Sequence, residues 1–254
     1  MWTQIWTGFR INIFLTILAG LIYPLALTGI CQIVFPHRAN GSLVMEGNRV
    51  IGSELIGQNF AKPQYFHPRP SAAGNDGYDA TSSGGSNLGP TSAKFIYGTT
   101  RLDDKKNEMV DFDGISLRLV HYSLENGIPY RSSMPLDQFQ DSNGNLDDVK
   151  LIKAFNNDQA RLTFTPEAPI PADAVTGSAS GLDPHISPAN AALQAARVAR
   201  SRGLSLDQVN QSIAQATEQP SWGILGDPRV NVLQLNLALD QRSRSPSTSA
   251  ATPR

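Results

Sequence analysis

Between Ile11 and Phe35 the chain runs INIFLTILAGLIYPLALTGICQIVF, 25 residues without a charge. As a helix this stretch is about 37 Å long, more than the ~30 Å hydrocarbon core of a bilayer, so it can span with some tilt. A secretory leader is the competing reading. Its apolar region runs to about 7–15 residues and ends in a small-x-small cleavage site. This segment is longer, and no clear site of that kind follows it. The expectation is an uncleaved single-pass helix at about 11–35, within an N-terminal region of residues 1–36. Trp2 and Trp6 suit one membrane interface. Arg10 flanks one end, and Arg38 and Arg49 lie beyond the other, so charge leaves the orientation open.

The span carries its own irregularity. Pro24 removes a backbone donor and crowds the carbonyl of Gly20, which predicts a kink there. Thr16 and Gly20 form a small-xxx-small pair that admits a neighbouring helix. Gly20 and Pro24 are therefore candidate partner contacts; a lone, kinked anchor is the other reading.

The rest of the 254-residue chain suffices for one sizeable domain or two small ones. A net charge of -1 gives no basic excess for nucleic acid. The single cysteine, Cys31, cannot build an internal disulfide framework.

Arg49–Phe60 reads as short strands with glycine turns. Lys62–Pro90 is rich in Gly, Pro, Ser and Asn, yet Tyr65, Phe66 and Tyr78 argue for an ordered loop. Residues 93–164 are rich in charge and hold several short apolar runs, as a second lobe or a large insertion would. A helix is predicted from Pro188, with Ser187 as cap, to Gly203. Another follows behind a Ser205/Gln208 capping box with Leu204 and Val209 as its staple. Arg229–Asp240 alternates like a strand but also offers helical faces. Residues 241–254 read as a disordered tail.

Chemical motifs fail one by one. SSGGSNLGP (Ser82–Pro90) lacks the lysine of a phosphate loop. GSASG (Gly177–Gly181) sets its serine one place late for a nucleophile elbow. His37, His67, His121 and His185 are isolated, and no cysteine pair exists, so no metal is expected. In DSNGNLDDVKLI, Asp141, Asn143 and Asn145 begin like a calcium loop, but Leu146 and Ile152 stand where glycine and glutamate are needed.

Taken together, NGSLVMEGNRVIGSELIGQNF, YFHPRPS, GGSNLGP, SASGLDPHISP, RVARSRGLS and DPRVNVLQLNLALD resemble, in order and after one span, the C subunit of the bacterial Kdp potassium-transporting P-type ATPase. The segment at about 93–164 departs from the pattern and looks like an insertion that could be shortened without loss of the core. The resemblance implies an α+β fold: a single N-terminal transmembrane helix followed by one mixed extracytoplasmic domain, residues 37–240, in the inner membrane. It implies a non-catalytic subunit needed for assembly and activity. The partners would be a channel-like A subunit, an ATP-hydrolysing B subunit, a small one-span subunit and membrane lipid. It tips residues 231–240 toward helix. Two roles follow from it. A catalytic chaperone would raise the ATP affinity of the hydrolysing subunit through a glutamine matching Gln194, a transient ATP contact with no firmly bound cofactor. A cap outside the membrane is the other, and the topology favours it. In that reading Gly181, Leu182, Asp183 and His185 form a rigid docking surface. The alternative class is an anchored extracytoplasmic hydrolase using Ser180, His185 and Asp183.

Overall fold

The computed structural model describes residues 1–244, and the chain divides into two compact units, Met1–Leu55 and the residues from Ile56 onward. In the first unit, helix α1 (Trp2–Ile17), a π-helical turn (Leu18–Ile22) and α2 (Tyr23–Val34) run on continuously. Trp2–Val34 is long and apolar enough to cross a membrane. The expected irregularity at Pro24 takes a specific form. Pro24 cannot donate to the Gly20 carbonyl, so the turn before it widens. The Tyr23 N–H reaches back five residues to the Leu18 carbonyl. The Thr16 hydroxyl donates to the Asn12 carbonyl of its own helix at 2.8 Å.

A short helix, α3 (Pro36–Ala39), leads into an antiparallel hairpin of β1 (Leu43–Glu46) and β2 (Arg49–Ser53). The division of the chain therefore falls after Leu55, and the hairpin belongs with the apolar helix rather than with the following domain.

The second unit opens with a long irregular stretch up to α4 (Ala93–Tyr97). There follow β3 (Thr99–Leu102), β4 (Glu108–Phe112), α5 (Gly114–Asn126), β5 (Tyr130–Ser132), a 3-10 turn at Leu136–Phe139, α6 (Asp148–Phe155) and β6 (Phe164–Pro166). Then come α7 (Ala172–Val175), β7 (His185–Ile186), α8 (Pro188–Arg202), α9 (Leu206–Ala216), β8 (Thr217–Glu218), β9 (Arg229–Asn231) and α10 (Val232–Arg244). The strands form small antiparallel ladders: β3 with β4, β5 with β6, and β7-β9-β8.

Local chemistry sets the helix ends. The Ser187 hydroxyl accepts from the Asn190 N–H at 3.1 Å, Pro188 occupies the first turn, and Gly203 closes α8 at φ 66°. The capping box of α9 is formed, with Gln208 Oε1 accepting from the Ser205 N–H at 2.9 Å. The ambiguous Arg229–Asp240 stretch is both things in turn: Arg229–Asn231 pairs as a strand, and from Val232 the apolar residues follow helical spacing. The helix continues through Arg244, four residues into the segment read as a tail; residues 245–254 lie outside the described residues.

One apolar core joins α8, α9, α10, β7 and β9 through Ile186, Ala191, Ala195, Val198, Val209, Val230, Leu235 and Leu239, with Phe66 inserted from the irregular stretch. A second core lies wholly within 93–164, around Leu117, Val120, Leu151, Ile152, Phe155 and Leu162. The lobe is nevertheless stitched to the rest. Tyr122 and Ile128 pack on Ala174 and Val175, and the Tyr122 hydroxyl donates to Asn190 Oδ1 at 2.7 Å. Excision of 94–163 would strip this contact, so the segment is not a free-standing surface insertion.

Truncation of Leu151→Ala in one core, or Leu235→Ala in the other, should each cost about 2–5 kcal/mol. Because the seam couples the two cores, urea unfolding followed by circular dichroism should give a single transition for both variants. Two separated transitions would show that the lobes fold independently.

Candidate functional site

Helix α8 turns a polar stripe inward. Asn190, Gln194 and Arg197, at helical spacing, are all buried. Gln194 is 1% exposed, and its amide makes four hydrogen bonds within the chain. Its Oε1 accepts from the His67 N–H (2.7 Å) and from Arg197 Nη2 (2.8 Å). Its Nε2 donates to the His67 carbonyl (3.1 Å) and to Asn190 Oδ1 (2.9 Å). That is the full capacity of a carboxamide. Asn236 of α10 treats the preceding residue alike: Oδ1 accepts from the Phe66 N–H at 2.8 Å and Nδ2 donates to its carbonyl at 3.0 Å. Arg197 Nη1 donates to the carbonyls of Pro63 (2.6 Å) and Tyr65 (3.0 Å), and Arg202 Nε to that of Gln64 (2.6 Å). The network extends through Asn190 Nδ2 to Asp173 (3.0 Å), whose carboxylate also receives the Ser187 N–H (2.7 Å).

The second part is a seam between two loops, 69–85 and 176–186. Arg69 donates to Asp183 Oδ2 (3.0 Å) and to the carbonyls of Thr176 (3.4 Å) and Gly177 (3.2 Å). The Ser71 hydroxyl donates to the Gly181 carbonyl at 2.7 Å, and the Gly84 N–H to the Ser180 carbonyl at 2.9 Å. Tyr78 donates its hydroxyl to the Arg69 carbonyl at 2.9 Å. Burial, reinforced by the Asp183 charge, pushes the Tyr78 hydroxyl well above the usual tyrosine range. Gly181 sits at φ 67°, and a Cβ there would lie 2.6 Å from the Gly84 carbonyl oxygen and 2.7 Å from Ala73 Cβ. Burial alone would raise the Asp183 carboxyl; hydrogen bonds from the His185 side chain and N–H, together with Arg69, outweigh it and hold the group below the usual aspartate range.

Between α5 and the irregular stretch lies a cleft of about 480 Å³ lined by His67, Arg69, Tyr78, His121, Glu125 and Asp148 among others. Both of its histidines face carboxylates within it: His67 Nδ1 stands 3.1 Å from Glu125 Oε1, and His121 Nε2 2.7 Å from Asp148 Oδ1. The hydrogen bond that His121 Nε2 donates to the Asp148 carboxylate raises the ring pKa against the lowering effect of burial.

The residues singled out from the sequence fall into place unevenly. Asp183 and His185 do meet, Oδ1 to Nδ1 at 3.3 Å. Ser180 does not complete a triad with them: its Oγ accepts from the Leu182 N–H at 3.1 Å and faces Ser178 Oγ at 3.4 Å. The close backbone approach expected at Gly181 exists, but it is made by Ala73 and Gly84 of the same chain. The half-buried Leu182 gives its carbonyl to the Gly57 N–H at 2.8 Å. Gly20 lies within the π-helical turn, and Pro24 is the second residue of the helix after it. Asp141 heads a tight turn, accepting from the N–H groups of Asn143 (2.8 Å) and Asn145 (2.9 Å), as its failed calcium spacing implied. Among the described residues no group of His, Cys, Asp and Glu could hold a metal. Tyr78, expected to order its loop, does so through the Arg69 carbonyl, whereas sequence reasoning gives no role to Arg69, Arg197 or Asn236. The available signal was polar residues interrupting otherwise apolar faces, Arg197 in AARVA and Asn236 in LQLNLAL.

A fold of this kind, with its polar groups largely spent on holding loops and preceded by one helix long and apolar enough to cross a membrane, is that of a scaffold. Residues 5–116 and 129–241 match the family model KdpC, described as K+-transporting ATPase, c chain. The chain is 43% identical to the potassium-transporting ATPase KdpC subunit of Beijerinckia indica over 230 residues, 91% of this chain and 89% of that protein. It is 42% identical to that of Myxococcus xanthus over 243 residues (95% and 90%), and 40% to that of Koribacter versatilis over 241 (95% and 96%). The chain belongs to the KdpC family. The family match breaks only at 117–128, so most of the segment read as an insertion is shared with the family.

Asp183 gives a pH signature. Its pKa is depressed in the folded chain, so its contribution is present above the unfolded aspartate pKa and lost as pH falls through the folded value. Thermal melts across the acid range should show a shallower loss of stability for Asp183→Asn than for the parent. Parallel curves would mean that the Arg69–Asp183–His185 cluster is not coupled to folding.

Proposed function

We propose that this chain is the non-catalytic accessory subunit of a bacterial potassium-transporting ATPase, required for assembly and activity of a complex whose ATP hydrolysis takes place in another subunit. Family membership along nearly the whole chain carries this reading. Its helix Trp2–Val34 would hold it in the inner membrane as a single-pass protein, with the mixed domain outside the cytoplasm. Gly20 and Pro24 would face partner helices, and Leu182, Asp183 and His185, at the half-buried rim of the loop seam, would contact the channel-like subunit; the hydrolysing and small one-span subunits complete the set.

The chaperone reading sends an ATP contact through Gln194. That amide is buried, and all four of its hydrogen-bond positions are engaged inside the chain. A nucleotide could use it only by displacing one of its present partners, the His67 backbone, Asn190 or Arg197, which costs about 1–3 kcal/mol for each buried group left unpaired. This supports the cap and assembly role, with Gln194 as an internal clamp.

Gln194→Leu separates the two roles. Under the cap reading the variant should lose at least ~2 kcal/mol of stability and co-purify poorly with the other pump subunits. Complex that does form should keep the parent KM for ATP. A raised KM for ATP, with stability and assembly intact, would instead establish the nucleotide contact. A single cysteine placed in the mixed domain, in a Cys31→Ser background, should react with a membrane-impermeant maleimide on intact cells; labelling only in inverted vesicles would reverse the topology.

A further inference from the structure

The turn between β8 and β9 has no role in anything described so far. Residues 219–226, QPSWGILG, hold no charge. Trp222 is 90% exposed, Ile224 81% and Leu225 53%. Elsewhere in the second unit the most exposed large apolar residue among those described is Leu102, at 60%. Three large apolar side chains this bare within four residues form a patch of the kind that marks an interaction site.

The turn is built, not frayed. The Ser221 N–H donates to the Leu225 carbonyl at 2.9 Å, and the Gly223 N–H to the Pro220 carbonyl at 2.9 Å. The N–H groups of Ile224 (3.3 Å) and Leu225 (3.0 Å) both donate to the Ser221 carbonyl. Trp222 takes a positive φ of 55°, an outlier for so large a residue. At the base, Glu218 Oε2 holds Arg229 Nη2 at 2.9 Å and closes the ladder.

We infer that this turn is a second membrane contact, inserted into the interfacial zone of the bilayer that holds the chain's own helix. Three observations favour lipid over a protein groove. The amides of Ser221, Gly223, Ile224 and Leu225 are already paired within the turn, which an apolar medium demands and a protein partner does not. Tryptophan beside aliphatic side chains is the composition of an interfacial anchor, with the indole N–H left for the headgroups. The one cation at the base, Arg229, is engaged by Glu218, so insertion is apolar and independent of anionic lipid. A chain tethered in the bilayer also meets its surface at high effective concentration. The inference rests on the reading of Trp2–Val34 as a membrane span.

Trp222 is one of three tryptophans, with Trp2 and Trp6. The full chain carrying Trp2→Phe and Trp6→Phe, in phosphatidylcholine nanodiscs, therefore reports on Trp222 alone. Lipid brominated near the headgroup should quench its emission, the maximum should lie at shorter wavelength than in detergent-free aqueous peptide, and anionic lipid or salt should change neither. Failure of the chain to enter nanodiscs would overturn the span itself. Entry with Trp222 open to aqueous acrylamide and unquenched by lipid would overturn the turn's role. Protection that arises only when the other pump subunits are added, without lipid quenching, would also overturn it and assign the turn to a protein groove. A polarity-sensitive fluorophore on Ile224→Cys in a Cys31→Ser background gives the same reading without touching any tryptophan.

Discussion

Five consecutive residues, Pro63 to His67, have their carbonyls, and Phe66 and His67 also their N–H groups, satisfied by side chains of α8 and α10 rather than by a neighbouring strand. Buried peptide groups must be paired somewhere. Here two carboxamides each mimic a strand residue, offering an acceptor and a donor to one backbone unit, while two guanidiniums collect the carbonyls before them. The arrangement carries Phe66 to the centre of the core, where it is fully buried. It also fixes the start of the loop that presents Arg69, Ser71 and Tyr78 to the 176–186 segment. Without the clamp, the irregular stretch from Ile56 to Ser92 would rest on its bonds to the 176–186 loop, such as those of the Gly57 and Gly84 N–H groups to the Leu182 and Ser180 carbonyls.

The cost of such a device explains why so little of it is left unpaired: among the side-chain atoms of the described residues only Arg202 Nη2 is buried without a hydrogen-bond partner. A buried guanidinium or amide left half-satisfied destabilises more than an apolar replacement would. Burial pulls the Arg197 pKa down, and the neighbouring Glu125 and Tyr122 work against that pull. Asn126 and Gln194 take two of its remaining N–H groups at 3.0 and 2.8 Å. Groups so engaged have nothing left with which to polarise or move a proton on a substrate. The same accounting applies at Asp183, whose two oxygens are divided between Arg69 and the N–H of His185.

How much of this was legible depended on range. The ends of α8 and α9 were readable because caps act over three or four residues: Ser187 with Pro188, Gly203, and the Ser205/Gln208 box. The irregularity near Pro24 was readable for the same reason, although whether it would bend or widen the helix was not. Arg229–Asp240 defeated periodicity because a strand passes into a helix there without a turn between them. The clamp was invisible because it joins residues 127 to 170 positions apart, Gln194 to His67 and Asn236 to Phe66. Nothing in HPRPSAAG or AALQAARV states that one holds the other. Gly181 shows the middle case: its need for close approach could be read from the small residues around it, but not that the approaching backbone would be its own.

A surface whose polar groups are internally matched and whose loops are fixed in advance loses little entropy on docking. It also gains little, since rim ion pairs contribute only about 0–1 kcal/mol each. The hydrophobic burial that drives stable association must then be supplied elsewhere. In this chain the bare apolar surface is concentrated on the helix Trp2–Val34 and on the Trp222–Leu225 turn. The division of labour follows from that distribution. On the proposed reading, the apolar elements would provide the affinity that keeps the protein in its membrane setting, and the clamped loops would offer a partner a shape fixed in advance.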